Sequence, residues 1–254
     1  MRYAGTTALI TGASSGIGAE FARRFAARGA DLVLVARRAD VLDALAAEIR
    51  ETGRTVQVVP FDLTEDRSGR RLAERVGRVD TVVNCAGVAK TGSFEDSTED
   101  EIRLQLRVNV DAVVDISHAF LPRLKASGQG ALVNVASLTA HLPVPGLAAY
   151  SAAKAFVVHF TEALAHELRG SGLTVLALSP GPTRTEFYAT SGTHENGVRF
   201  QTAAQVVDTA FAALDKKNPP VSVISGAQNR WVKRVLKALP TRTALRLMEA
   251  EPVA

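Results

Sequence analysis

Tyr150 and Lys154 stand four residues apart in the run Tyr150-Ser151-Ala152-Ala153-Lys154, and Ser137 lies thirteen residues upstream of the tyrosine. Residues four apart on a helix share a face, so the phenol and the ammonium point the same way. A phenol ionises near pH ~10, too high for proton transfer near neutrality. A neighbouring cation lowers that value and makes the tyrosine a usable general acid and base. Ser137 adds a hydroxyl that can hold a carbonyl oxygen while charge builds on it. A partly exposed helix face would show the same spacing, so the pair acquires meaning from the elements that position it.

A second chemistry is written near the N-terminus. Residues 6–10 form a short apolar run, followed by Gly12, Ser14, Ser15, Gly16, Ile17 and Gly18 and then by a periodic helix over 19–28. In a strand–turn–helix, residues without Cβ let backbone N–H groups approach a pyrophosphate at the positive end of the helix. A structural turn is the alternative, but the glycines sit in the context that nucleotide binding requires. The next buried strand, 31–36, ends on Ala36 and leads into Arg37 and Arg38. An acidic residue there suits a ribose 2′-hydroxyl and an arginine suits a 2′-phosphate, so NADP(H) is expected over NAD(H). The competing reading is two solvated arginines at the start of the helix over 40–50.

Further strands at 55–61, 79–84, 131–136, 173–179 and 221–225 alternate with helices at 65–75, 99–125, 149–169 and 202–216. The alternation predicts an α/β fold: one doubly wound, parallel, seven-stranded sheet with helices on both faces. Asp62 or Thr64 is placed to cap the helix over 65–75. The turn Asn84-Cys85-Ala86-Gly87 follows a strand, where such turns line the ligand crevice. Cys85 has no basic neighbour in sequence and reads as a small buried residue. Asn109 falls inside the long helix over 99–125, as a solvent-facing residue or one that holds a water. Pro180 to Thr185 form a rigid turn after the strand that carries Ser179, and 186–200, aperiodic and polar, is expected to be a mobile substrate loop.

The composition is that of a globular protein, with 46% hydrophobic and 22% charged residues in 254. A net charge of +4 requires no nucleic-acid partner. One cysteine precludes an intramolecular disulfide and suits a reducing compartment. No apolar run approaches a membrane span and the opening residues lack a leader's apolar stretch, so a cytoplasmic location is expected. Residues 1–227, including the loop 186–200, read as one domain and 228–254 as a tail. There Arg230, Lys233, Arg234 and Lys237 alternate with Trp231, Val232, Val235, Leu236 and Leu239, a basic amphipathic helix ending at Pro240, with a second short helix from Thr241. Packing on the domain or a subunit is the favoured role, and an anionic membrane surface the alternative. The spacing offers no metal site, and His159 and His166 read as packed or solvated.

Taken in order, Thr11-Gly12-Ala13-Ser14-Ser15-Gly16-Ile17-Gly18, Asn84-Cys85-Ala86-Gly87, Asn109, Ser137, Tyr150-x-x-x-Lys154 and Pro180-Gly181 with Thr185 make residues 5–226 resemble the classical short-chain dehydrogenase/reductase family. The chain looks most like NADP-preferring members with a Pro-Gly-Pro-Thr-x-Thr-Glu-Phe turn. The resemblance implies that Tyr150 is the general acid/base, that Ser137 holds the substrate oxygen, and that Lys154 lowers the tyrosine pKa and binds the nicotinamide ribose. It gives Asn109 a water that relays protons between Lys154 and solvent. It places Asp62 and Leu63 at the adenine, Asn84, Ala86 and Gly87 along the middle of the cofactor, and Pro180, Thr183 and Thr185 at the nicotinamide. Cys85 stands where the family usually has a second asparagine. The implied reaction interconverts a ketone or aldehyde and an alcohol on a small-molecule substrate, in a homodimer or homotetramer paired through the helices at 99–125 and 149–169. A membrane-associated lipid, sterol or acyl reductase is a narrower alternative. A non-catalytic nucleotide sensor is a third, against which the intact Ser137, Tyr150 and Lys154 argue.

Overall fold

The computed structural model describes residues 3–192 and 199–248. Seven strands, β1 (Thr7–Thr11), β2 (Asp31–Ala36), β3 (Val56–Pro60), β4 (Thr81–Asn84), β5 (Ala131–Val135), β6 (Thr174–Ser179) and β7 (Ser222–Ile224), form one sheet in the order β3-β2-β1-β4-β5-β6-β7. Every pairing is parallel, with Ile10 level with Leu34 and Val83 and Asn84 level with Asn134. Strand order reverses between β1 and β4, which opens a crevice at their carboxyl ends.

Alternate residues of each strand feed opposite cores, because successive side chains leave a strand on opposite faces. Ala8, Ile10, Leu34, Val133 and Leu178 join Phe21 and Phe25 of α1 (Gly16–Ala27), Leu42 of α2 (Ala39–Arg50) and Phe211 on one face. Leu9, Val33, Val82, Leu132 and Val175 meet Leu72 of α3 (Ser68–Arg75) and Phe120 on the other. The predicted doubly wound sheet is therefore the observed one.

Three elements depart from the sequence reading. The helix expected over 99–125 is two helices, α4 (Glu99–Leu106) and α5 (Ala112–Ala126), joined by a π-turn over Arg107–Asp111. The wider turn carries Asn109 fully buried, its amide Nδ2 donating to the Val88 carbonyl at 2.7 Å and its Oδ1 accepting from the Val88 N–H at 3.3 Å. The helix expected from 65 begins at Ser68, because Arg67 is left-handed at φ 56°. Asp62 caps no helix; it accepts from the N–H and hydroxyl of Thr64, both at 2.9 Å, in a local turn. The aperiodic stretch 186–200 opens with a helix, α7 (Glu186–Ser191), tied down by the Thr91 N–H donating to the Ser191 carbonyl at 2.9 Å. Residues 193–198 of that stretch lie outside the described residues, as do 249–254 of the tail.

Helix α6 (Ala148–Glu167) follows a 3-10 turn over Leu138–His141, and α8 (Ala203–Leu214) starts in a capping box of Thr202 and Gln205. The tail forms α9 (Ala227–Ala238) and α10 (Thr241–Met248), as its periodicity predicts. Part of its apolar side lies on the body of the protein: Leu236 and Ala244 are buried against Leu142, with Val232, Leu239 and Met248 around them, while Trp231, Val235 and Leu247 stay exposed. No helix among the described residues is long and apolar enough to cross a membrane.

Candidate active site

The turns after β1 and β4 meet at the switch point. Thr11 Oγ1 accepts from the N–H groups of Cys85 and Ala86, at 3.0 and 3.1 Å, and locks one turn to the other. Gly12 has φ +66°, and a Cβ there would stand 2.9 Å from the Ala86 backbone, so only glycine permits this approach. Gly12, Ser14, Ser15, Gly16, Ile17 and Gly18 line the resulting cleft, with Ala86 and Gly87 opposite and α1 starting beneath them.

Arg37 and Arg38 line its far end beside Asp62 and Leu63. The hydrogen bond from the Thr64 N–H holds the Asp62 carboxyl below its ordinary range, and the charge of Arg37 adds to that. Arg38 Nη2 donates to Glu186 Oε2 at 2.9 Å and to Ser14 Oγ at 3.2 Å, so a latch of opposite charges joins β2, the glycine turn and α7. Pro180, Thr183 and Thr185 line the cleft from the turn after β6. Thr183 pairs with Gln201, whose side chain donates to Ser225 Oγ at 3.0 Å and accepts from Asn229 of α9 at 3.2 Å.

At the near end β5 delivers Ser137, whose Oγ accepts from the Thr139 N–H at 3.2 Å as the 3-10 turn begins. The first turns of α6 present Tyr150 and Lys154, 8% and 3% exposed, on one face as their spacing requires. Lys154 Nζ donates to the Val135 carbonyl at 3.0 Å. Burial lowers its pKa from 10.5 to about 8. Burial also raises the Tyr150 pKa above its ordinary value, opposed by a hydrogen bond from Ser137. Lys154 does not supply the expected lowering of that pKa: removing the phenolate from water costs more than the Ser137 hydrogen bond returns, and Tyr188 and Cys85 add to the rise. Burial pushes the Cys85 thiol up to about 12, which suits a packed residue and not a nucleophile.

A Cβ at Gly87 would lie 3.1 Å from Asn109 Oδ1 and 3.3 Å from Lys154 Nζ, so both polar atoms close on one bare backbone position. Asn109 stands behind the cleft wall and does not line it. Asn84 departs further from the expectation that it lines the middle of the cofactor. It is 2% exposed and absent from the cleft; its Nδ2 donates to Asn134 Oδ1 at 2.9 Å and to Ser117 Oγ at 3.2 Å. Its side chain cross-links β4 to β5 and α5. The sequence named Arg38 beside Arg37 but not its latch to Glu186, and it gave Met248 no place in the site; all three line the cleft. Only the position of Arg38 beside Arg37 carried a signal.

The cleft has a volume of about 630 Å³, a glycine-floored middle, arginines at one end and Ser137, Tyr150 and Lys154 at the other. Its donor set fits a nicotinamide dinucleotide, with the pyrophosphate at the start of α1.

A family model described as short chain dehydrogenase matches residues 6–196. A short chain dehydrogenase of Pseudocercospora fijiensis is 37% identical over 191 residues, which are 73% of this chain and 62% of that protein's length. A sulfoacetaldehyde reductase of Chromohalobacter salexigens is 40% identical over 185 residues, covering 70% of this chain and 72% of the relative. A solved short-chain dehydrogenase from Sphingobium yanoikuyae, in complex with NADPH, is 35% identical, covers 98% of each chain and superposes with a TM-score of 0.81. Motifs, topology and relatives agree, and the chain belongs to the short chain dehydrogenase family of oxidoreductases.

Proposed function

We propose that the protein is an NADP(H)-dependent oxidoreductase that interconverts a ketone or aldehyde and an alcohol, with Tyr150 as general acid/base. The observation that carries this reading is the convergence of Ser137, Tyr150 and Lys154 in one cleft with a glycine-floored middle that suits a dinucleotide. When bound, the dihydronicotinamide supplies a hydride to the carbonyl carbon. The Ser137 and Tyr150 hydroxyls hold the carbonyl oxygen and face the charge that develops on it. Tyr150 gives that oxygen its proton, and the burial that keeps the phenol protonated at neutral pH suits the donor role. Lys154 stands behind the phenol, and Asn109, anchored on Val88, is assigned the relay that returns a proton from solvent.

The preference for NADP(H) rests on Arg37, whose guanidinium group matches a 2′-phosphate where β2 ends, while Arg38 is engaged by Glu186 and Ser14. Paired titration with NADPH and NADH, followed by nicotinamide fluorescence, tests it without a substrate. Tighter NADPH binding supports the assignment, and equal or tighter NADH binding refutes it. Loss of nicotinamide absorbance with added ketones and aldehydes then tests the reaction.

The same reading includes a homodimer or homotetramer paired through α4, α5 and α6. Leu104, Leu106 and Phe156 are exposed there, and the Phe156 ring stacks on Phe160 with centroids 5.9 Å apart. Light scattering of the wild-type protein and of Phe156→Glu tests it: a dimer or tetramer that the substitution dissociates supports the pairing, and a wild-type monomer contradicts it.

A further inference from the structure

Beyond Tyr150 the cleft continues into a chamber whose last wall, supplied by the tail, lies outside the residues that the family model matches. Leu142, Val144 and Leu147, between β5 and α6, form one side, and Phe187 and Tyr188 of α7 form another. Met248 closes it from α10, held there by the packing of Leu236 and Ala244 on Leu142. The Phe187 ring centroid lies 5.7 Å from that of Tyr150, so the apolar wall begins beside the reacting hydroxyl.

The charges that line the cleft are Arg37, Arg38, Asp62, Lys154 and Glu186. Asp62 and the arginines lie where β2 and β3 end. Glu186 is latched to Arg38, and Lys154 is bonded to Val135 behind Tyr150. Among the described residues, none of the chamber's walls carries a cation. A sulfonate or carboxylate lodged there would lose its water with no counter-charge in exchange, whereas an apolar group gains by leaving water.

We infer that the chamber takes the uncharged, bulky apolar half of a ketone or secondary alcohol, and that Met248 sets the size it admits. The inference rests on the carbonyl–alcohol chemistry proposed above. It separates this chain from its relative named as a reductase of sulfoacetaldehyde, an anionic substrate.

The test measures kcat/KM of the full chain with saturating NADPH on acetone, cyclohexanone and a bicyclic decalone, and on sulfoacetaldehyde against butanal. Met248→Trp and Met248→Ala are assayed beside the wild type. The expected result is a rise of about tenfold or more from acetone to the decalone, with sulfoacetaldehyde about a hundredfold below butanal. Met248→Trp should raise KM for the decalone about tenfold more than it raises KM for acetone. Met248→Ala should not raise KM for the decalone. Sulfoacetaldehyde equal to or better than butanal, or a decalone KM indifferent to Met248→Trp, would overturn the inference while the carbonyl reaction stood. NADPH binding without turnover of any carbonyl would overturn both.

Discussion

Lys154 Nζ lies 5.7 Å from the centre of the Tyr150 ring and donates to the Val135 carbonyl at 3.0 Å. A buried ammonium beside a buried phenol is costly to fold, and the cost is concentrated where the chemistry is proposed.

Lys154→Met should therefore stabilise the protein while disabling it. The lysine pKa falls from 10.5 to about 8 on folding, a cost on the order of 3 kcal/mol below pH 8. Between about pH 8 and 10.5 the unfolded chain keeps a proton that the folded protein has released, so wild-type stability should rise with pH across that window. The variant should lack that rise, melt about 5 °C higher at pH 7 and lose at least about a hundredfold in turnover. A lower melting temperature at pH 7 would contradict the assigned cost.

Arg37→Ala should separate the two cofactors. A charge-assisted hydrogen bond to a phosphate accounts for about 10- to 100-fold in affinity, so NADPH binding should weaken by that much and NADH binding by less than about threefold. Arg38→Ala breaks the latch to Ser14 and Glu186 and should weaken both cofactors together. Isothermal titration distinguishes the two patterns.

Gly87→Ala should impair the reaction from the cofactor side of the wall. The added methyl would stand 3.1 Å from Asn109 Oδ1 and 3.3 Å from Lys154 Nζ, closer than ordinary contact. Displacing either by a few tenths of an ångström should lower kcat about tenfold with a melting-temperature change under about 3 °C. Unchanged kcat would show that the position of these two groups does not limit turnover.

His141 sets an acid limit on stability. Burial, then the charges of Lys233 and Lys237 and of His159, lowers its pKa from 6.5 to about 4, and its Nε2 sits 3.0 Å from Ser179 Oγ. Above pH 6.5 the imidazole is neutral in both states. As pH falls from 6.5 towards 4 the unfolded chain takes up a proton that the folded one refuses, so stability is lost across that window. The melting temperature of His141→Gln should fall less steeply from pH 6.5 to 4.5 than that of the wild type, and identical slopes would rule out His141 as a source of the loss.

The features legible in the sequence were those fixed by local geometry. Tyr150 and Lys154 share a face because four residues make about one helical turn, and Gly12 to Gly18 announce a strand–turn–helix by themselves. Features that depend on distant partners were misread. The direction of the Asn84 side chain is set by its register opposite Asn134, fifty residues away. The π-turn at Asn109 exists where the amide finds Val88, and α7 forms in an aperiodic stretch because Thr91 and Tyr150 meet it. Arg38 acquires its role from Glu186, which only the fold brings near. Met248 lies outside every shared motif and enters the cleft through the packing of the tail.

Delivery of the proton by the Tyr150 hydroxyl is decided by Tyr150→Phe. The substitution removes one oxygen and keeps the ring against Phe187. NADPH affinity should stay within about twofold of wild type while kcat with the best uncharged ketone falls about a thousandfold. Retention of more than about a tenth of wild-type kcat at unchanged NADPH affinity would contradict it and assign the proton to another group.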